Sequence, residues 1–91
     1  MFAEENETRV TLRTGMKDFI ENIAKHLVDI PDEVNVTEID GDRTIVYELR
    51  VGHGDLGKVI GKHGQTAKSI RILLAAASAK RGKRAVLEIM E

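Results

Sequence analysis

The hydrophobic positions in the first half of the chain follow two different periods. Between Met16 and Pro31 the apolar residues recur every three or four positions, which predicts a helix with one buried face. Pro31 ends this helix because proline disfavours the helical conformation of the residue before it. From residue 34 to residue 51, two runs of alternating apolar and polar residues flank the turn Asp40–Asp42, and this pattern predicts a β-hairpin.

The second half of the chain predicts two helices and a final strand. Asp55 is a suitable N-cap for a short helix, which the segment Gly61–Gly64 interrupts. A longer helix follows from residue 65 or 66 to Arg81 and ends at Gly82, and residues 83–90 then alternate as a strand does. The order α-β-β-α-α-β predicts one α+β domain, with helices packed on one face of a three-stranded sheet.

Composition narrows the class of protein. The chain has 91 residues, of which 42% are hydrophobic and 32% charged, as in folded soluble domains. It contains no cysteine, so disulfides and thiolate zinc sites are excluded. No apolar stretch approaches the ~20 residues of a transmembrane helix, and the acidic N-terminus has no signal-peptide pattern. We therefore expect a cytoplasmic protein without membrane insertion.

The first fifteen residues precede the predicted helices and strands of the domain. We expect residues 1–15, which are charged and rich in hydroxyl groups, to form a flexible N-terminal extension, and residues 16–91 to form the domain. The extension is either an additional arm or the product of a start codon assigned upstream of Met16. The sequence leaves both interpretations open.

Charge is distributed unevenly along the chain. Residues 16–50 contain four basic and nine acidic residues, whereas residues 51–91 contain eight basic and three acidic residues. This asymmetry indicates either a polyanionic partner for the C-terminal half or attraction between two faces of one domain. Within the basic half, the run Lys80–Arg84 is open to two interpretations, a solvated helix end or a contact with RNA or a partner.

Two glycine motifs lie in the basic half. Gly52–Gly57 matches GxGxxG, but the chain after it is too short for a crossover unit and lacks the acidic residue expected about 20 positions later, so we reject a dinucleotide site. Gly61–Gly64 places two glycines around Lys62 and His63 at the junction of two helices. Glycine has no Cβ, so a nucleic-acid backbone can come close, and the start of the following helix favours phosphate.

These residues resemble the core motif of a known domain. Val59–Gly64 followed by Thr66–Arg71 is similar to the (V/I)IGxxG core of KH domains, and the order of elements resembles the type II arrangement found in prokaryotes. From Met16 to Glu88 the chain is similar to the small stand-alone bacterial KH proteins of the KhpA type. The resemblance implies single-stranded RNA binding in the cytoplasm, self-association, and pairing with a larger KH-containing protein in post-transcriptional control linked to cell elongation and division.

The residues also suggest how RNA would be held. We expect the Gly61–Gly64 loop to clamp the backbone of about four nucleotides, as KH modules do. We expect some of the cations Lys58, Lys62, Lys68 and Arg71 to contact phosphates, while others of them make no contact. Leu56, Val59 and Ile60 form an apolar wall for the bases. Because Tyr47 belongs to the predicted sheet, no aromatic platform is present and we expect weak binding with low sequence specificity. The predicted RNA-binding residues are Gly57, Lys58, Val59, Ile60, Gly61, Lys62, His63, Gly64, Lys68 and Arg71.

The long helix has two apolar sides. One is the predicted core stripe, formed by Ile70, Leu73, Leu74 and Ala77. The other carries small and apolar residues where a solvated face would carry charge, which reflects either the helix propensity of alanine or contact with a second copy in a symmetric dimer. The predicted dimer interface consists of Ile72, Ala75, Ala76 and Ala79.

The favoured function is therefore RNA binding. One alternative is an adaptor that dimerises or docks a larger KH protein, with incidental RNA contact, and another is a ribosome-associated factor. We expect no enzymatic activity and no cofactor, because Ser69 and Ser78 have no base near them in the sequence and so small a domain offers little room for a pocket. The three histidines, His26, His53 and His63, lack the spacing of metal ligands, so no metal site is expected.

Overall fold

The computed structural model describes the backbone of residues 2–91 and the side chains of residues 15–91. Within this range no helix is long and apolar enough to cross a membrane. The order of elements confirms the predicted α-β-β-α-α-β arrangement. The elements are α1 (Phe2–Leu27), β1 (Asn35–Asp40), β2 (Thr44–Arg50), α2 (Leu56–Ile60), α3 (Gln65–Ala79) and β3 (Arg84–Met90), with short 3-10 turns at Pro31–Glu33 and Lys62–Gly64.

Helix α1 is interrupted at one residue. Gly15 has φ 78° and ψ −176°, a conformation that glycine adopts readily, so the regular helix that covers the sheet begins at Met16. This helix buries Ile20 and Ala24, which lie four positions apart on one face. The prediction that residues 1–15 form a flexible N-terminal extension falls almost wholly on residues whose side chains lie outside the described range, and it stays a prediction.

The three strands form a mixed sheet in the order β1-β2-β3. Strand β1 pairs antiparallel with β2, with Val36 opposite Leu49, and this pairing confirms the predicted hairpin. Strand β3 pairs parallel with β2, with Leu87 opposite Tyr47. Alternate residues of the central strand, Ile45, Tyr47 and Leu49, are fully buried because α1 and α3 pack on this side of the sheet.

Helix α3 contributes a different core stripe from the predicted one. Its buried residues are Ala67, Ile70, Leu74 and Ser78. Leu73 was expected in the core, but its side chain is 49% exposed and that prediction is wrong. At 100° per residue, Leu73 lies about a quarter turn from the centre of the stripe, so it projects beside the core instead of into it.

The end of α3 is set by a glycine, as predicted. Gly82 has φ 69°, which favours glycine. The amide of Lys83 donates to the carbonyl of Ser78 at 3.1 Å, and the amide of Gly82 donates to the carbonyl of Ala79 at 3.0 Å. These two bonds form a Schellman motif, which satisfies the last carbonyls of the helix and turns the chain into β3.

The neighbouring leucines of α3 provide a test of this packing. Leu74→Ala removes a side chain that is 1% exposed and should lower the free energy of unfolding by about 2–5 kcal/mol. Leu73→Ala removes a half-exposed side chain and should lower it by less than about 1 kcal/mol. Urea unfolding followed by circular dichroism measures both. Equal losses for the two variants would contradict the helix orientation described above.

Candidate nucleic-acid interface

The loop between α2 and α3 bends sharply because three of its residues have positive φ. Gly61 has φ 80° and ψ 172°, His63 has φ 57° and ψ 24°, and Gly64 has φ 73° and ψ 11°. The amide of Gly64 donates to the carbonyl of Gly61 at 3.1 Å, which closes the turn. Such a conformation is unusual for a residue with a side chain such as His63, and it leaves His63 exposed at the tip of the loop.

Gly61 is required by both its conformation and its surroundings. Its φ and ψ fall in a region that is essentially restricted to glycine. A Cβ at this position would lie 2.2 Å from Thr66 Oγ1 and 3.0 Å from the Thr66 amide nitrogen. Because a backbone atom is among these neighbours, the contact cannot be relieved by a side-chain rotation alone. The first glycine of the motif therefore allows the loop to lie directly against the start of α3.

Asp55 holds the other end of α2, but not in the predicted way. It occupies the N-cap position, yet its carboxylate makes no capping bond to α2. Instead the buried carboxylate accepts hydrogen bonds from the amides of Ile30, at 3.0 Å, and Asp29, at 3.2 Å. The predicted capping role is therefore wrong. Asp55 joins the segment after α1 to the start of α2, and a contact across 25 residues leaves no local sequence signal.

Lys58 forms part of the same charged cluster. Its Nζ lies 2.8 Å from Asp29 Oδ2 and 3.7 Å from Asp55 Oδ1. Burial opposes ionisation of Asp55, but hydrogen bonds from the Ile30 and Asp29 amides and the charge of Lys58 outweigh it and hold its pKa below the ordinary 3.8. The hydrogen bond to Asp29, together with that carboxylate's charge, raises the pKa of Lys58 above 10.5. Lys58, a predicted phosphate contact, is thus already paired within the domain.

The other predicted cations are arranged differently. Lys62, His63 and Lys68 are exposed, and none of them forms an ion pair with a carboxylate among residues 15–91. Arg71 is also exposed, but its Nη2 lies 3.5 Å from the carbonyl oxygen of Leu87 in β3. Lys62 and Lys68 therefore present uncompensated positive charge on the loop and the first turns of α3, and the imidazole of His63 is exposed beside Lys62.

The predicted apolar wall is only partly available. Val59 has no exposed surface and packs in the core, so it supports α2 from below and cannot contact a base. Leu56 and Ile60 are half-buried and retain some accessible surface. Gly57 lies within α2, and the amide of Gly61 donates to its carbonyl at 2.9 Å. The wall is thus reduced to Leu56 and Ile60.

The predicted dimer residues share one exposed face of α3. Ile72 is 60% exposed, and Ala75, Ala76 and Ala79 are exposed with it. Leu73, which the helical pattern predicts to be in the core, lies next to Ile72 and extends this apolar surface. An exposed helix face of this composition is unusual because charged residues normally occupy such positions.

The histidines are dispersed in the structure. His26 Nδ1 lies 2.7 Å from the carbonyl oxygen of Asn22 one turn earlier in α1, and His53 Nδ1 lies 3.7 Å from Glu91 Oε1. Among residues 15–91, no three histidine, aspartate or glutamate side chains are grouped closely enough to hold a metal ion.

Two helices joined by a GxxG loop, packed on a three-stranded β1-β2-β3 sheet with a parallel β2–β3 pair, define a KH domain. Comparison with protein families agrees with this assignment. The family model described as "KhpA/KhpB, KH domain" matches residues 17–89, and the chain belongs to this family. Membership confirms the predicted fold and agrees with the prediction that the chain is not an enzyme.

Curated relatives match over nearly their whole length. A protein of Aquifex aeolicus is 54% identical over 78 residues, which is 86% of this chain and 99% of the relative. A protein of Clostridium acetobutylicum is 53% identical over 75 residues, which is 82% of this chain and 100% of the relative. A protein of Chlamydia trachomatis is 50% identical over 76 residues, or 84% and 97% of the two chains. Each relative is named RNA-binding protein KhpA.

A solved structure shares the fold at lower similarity. In the crystal structure of Era in complex with MgGDPNP and nucleotides 1506–1542 of 16S ribosomal RNA, the matching region has a TM-score of 0.52 and 23% identity. It covers 81% of this chain and 28% of the Era chain. At this identity the similarity shows the fold alone.

Two glycines of α2 and the loop test the packing of this site. Gly61→Ala should lower the free energy of unfolding by about 1–3 kcal/mol, because the new Cβ is strained by the backbone and collides with Thr66. Gly57→Ala is the matched control, since Gly57 has open space and lies in a helix, where alanine gains about 0.5–1 kcal/mol. Urea unfolding compares the two. A Gly61→Ala variant as stable as Gly57→Ala would refute the close approach.

Proposed function

We propose that this chain binds single-stranded RNA through the Gly61–Gly64 loop. The observation that carries this proposal is the exposed charge of Lys62 and the exposed imidazole of His63 on a loop that ends at Gly64, where a Cβ would face open space. Phosphates can therefore approach the backbone closely at Gly64, and the side chains of Lys62 and His63 are available to them. The name of the curated relatives, which are 50–54% identical over nearly their whole length, supports RNA as the ligand.

The surroundings of the loop favour weak and unspecific binding by one copy. The loop holds the backbone of about four nucleotides, and Lys68 adds a further phosphate contact. Leu56 and Ile60 offer a small apolar surface to the bases. Among the described side chains, Tyr47 is fully buried and Phe19 is half-buried on α1, so neither provides an exposed ring for stacking. Sequence discrimination should therefore be modest.

A titration of labelled RNA tests the loop. The double variant Lys62→Asp/His63→Asp should lose most of its affinity for a single-stranded RNA of about 12 nucleotides, because one cation and one exposed imidazole are replaced by anions at the phosphate contact. Wild-type binding should weaken as salt rises, with a slope that reflects about 0.7 released ions per phosphate contact. Fluorescence anisotropy at two salt concentrations measures both effects.

The control for this titration is Lys17→Asp, which reverses one exposed charge on α1, far from the loop in the sequence. It should bind RNA with about wild-type affinity if local contacts dominate over net charge. Circular dichroism must show that all three proteins are folded. Equal binding by wild type and the loop variant, or no binding by either, would exclude the loop as an RNA site and favour the adaptor alternative.

We further propose that two copies associate through the exposed face of α3. Ile72 and Leu73, at 60% and 49% exposure, would lose contact with water together with the alanines around them. A symmetric dimer carries two loops, so each weak site would gain from the effective concentration of the other. The same face is suited to a larger KH-containing protein. Such a complex would act in the cytoplasm, in post-transcriptional control linked to cell elongation and division.

Light scattering tests the association. Ile72→Glu should shift the protein from a dimer to a monomer of 10.1 kDa, because a carboxylate would be buried at the interface without a partner. Lys17→Glu, an exposed substitution on α1, should remain dimeric. If Ile72→Glu stays dimeric, α3 is not the interface. If it is monomeric and loses cellular function while the loop variant retains it, assembly is the main role.

A further inference from the structure

A second group of cations lies at the end of the domain away from the glycine loop. The turn between β1 and β2, the end of α3 and the start of β3 meet there, since Thr44 of β2 pairs with Arg84 of β3. The amide of Arg84 donates to the carbonyl of Arg43 at 2.8 Å. Folding thus brings together five cations from three segments of the chain: Arg43, Lys80, Arg81, Lys83 and Arg84.

Two of these five cations form ion pairs with a carboxylate among residues 15–91. Asp40 forms both ion pairs: its Oδ1 lies 2.5 Å from Lys83 Nζ, and its Oδ2 lies 3.7 Å from Arg81 Nη2. The other three, Arg43, Lys80 and Arg84, are exposed and form no ion pair with a carboxylate among residues 15–91. We call these three residues the distal basic patch.

The fold alone does not account for the distal basic patch. A cation near the end of a helix is favoured by the helix dipole, which explains Lys80. Arg43 and Arg84 lie on a turn and on a strand, where no such effect operates. Like charges brought close together repel each other and oppose folding. An external anion that binds there would remove this cost.

The distal basic patch lies far from the glycine loop. Helix α3 begins at the loop and ends at the patch, and its 15 residues span about 21 Å at about 1.5 Å per residue. No acidic residue occurs in α3. Arg71 lies along this route, beside the carbonyl of Leu87 on the edge strand β3. Arg71 is therefore the cation of α3 that lies between Lys68 and the distal basic patch, beside an edge strand that also carries the exposed Glu88.

We propose that the distal basic patch binds the phosphate backbone of the same RNA strand that the glycine loop holds. This inference rests on the proposed RNA-binding function and extends it to a second site. At about 3.4 Å per nucleotide in a stacked strand, 21 Å corresponds to about six nucleotides. Added to the four nucleotides at the loop, a strand of about ten or more reaches both sites. Beyond Lys68, which lies one turn before Ile72 on the same face of α3, the route leaves that face free for a second copy.

The test compares two RNA lengths on two sets of variants. Arg43→Gln/Arg84→Gln removes two charges of the patch, and Arg43→Lys/Arg84→Lys retains them. Lys17→Gln/Lys25→Gln removes two charges from exposed positions of α1, one of them paired with Glu21, and controls for net charge. Fluorescence anisotropy with oligouridylates of 5 and 16 nucleotides measures affinity at two salt concentrations. A longer RNA offers more positions at which the protein can bind, and this raises the apparent affinity of every variant by the same factor. Each variant is therefore compared with wild type on the same RNA, and this factor cancels from the ratio of affinities.

The glutamine variant should lose affinity for the longer RNA but not for the shorter one. Arg43→Gln/Arg84→Gln should bind the 16-nucleotide RNA about tenfold more weakly, and the slope of log affinity against log salt should decrease by about 1.4 for two lost contacts. Its affinity for the 5-nucleotide RNA should stay within twofold of wild type. The charge-retaining and α1 variants should behave as wild type with both RNAs. Because like charges are removed, the glutamine variant should be at least as resistant to urea as wild type.

Three other results would overturn the proposal. Unchanged affinity of the glutamine variant for the 16-nucleotide RNA would exclude the second site and leave the loop function intact. An equal loss for both RNAs would mean that these charges act at the loop's own site. Failure of the wild-type protein to bind the 16-nucleotide RNA would overturn the proposed function as well. Arg43→Gln alone, in an exposed turn, gives the same comparison if the double variant proves unstable.

Discussion

The buried carboxylate of Asp55 is the contact on which the position of the glycine loop depends. Helix α2 has only five residues, and a helix so short is not stable by itself. Its position is set at one end by Asp55, which accepts bonds from the amides of Asp29 and Ile30, and at the other by the close approach of Gly61 to Thr66. Val59 fills the core between these two points. The loop is therefore held by the domain core and does not hang between two independent helices.

The features that the sequence predicts well are those that depend on local periodicity. The hairpin, the end of α3 at Gly82 and the GxxG junction each follow from residues within a few positions of one another. The errors concern contacts that join distant segments. Ile70, Leu73 and Leu74 all fit a helical stripe, and only the packing of α3 against the sheet decides that Leu73 is outside it. The partners of Asp55 lie 25 residues away, so its role could not be derived from local pattern.

The two interpretations of the charge asymmetry both apply, to different residues. Lys58 and Lys83 lie in the basic half and pair with Asp29 and Asp40 of the acidic half, so part of the asymmetry serves attraction within the domain. Lys62, by contrast, has no carboxylate partner among residues 15–91. Net charge along the chain therefore overstates the charge available to a ligand, and the ion pairs of the folded domain decide which cations remain free.

The parallel pairing of β2 with β3 has a consequence for the order of events during synthesis. The glycine loop lies inside the crossover connection between these strands, so helix α3, which begins at the loop, is fully packed only when residues 84–90 have paired with the central strand. Until that segment has left the ribosome, α3 lacks the strand on which it packs, and only α1 covers the apolar side of the hairpin. The fold of the domain and its binding surface therefore depend on the same strand pairing, and neither is complete before the other.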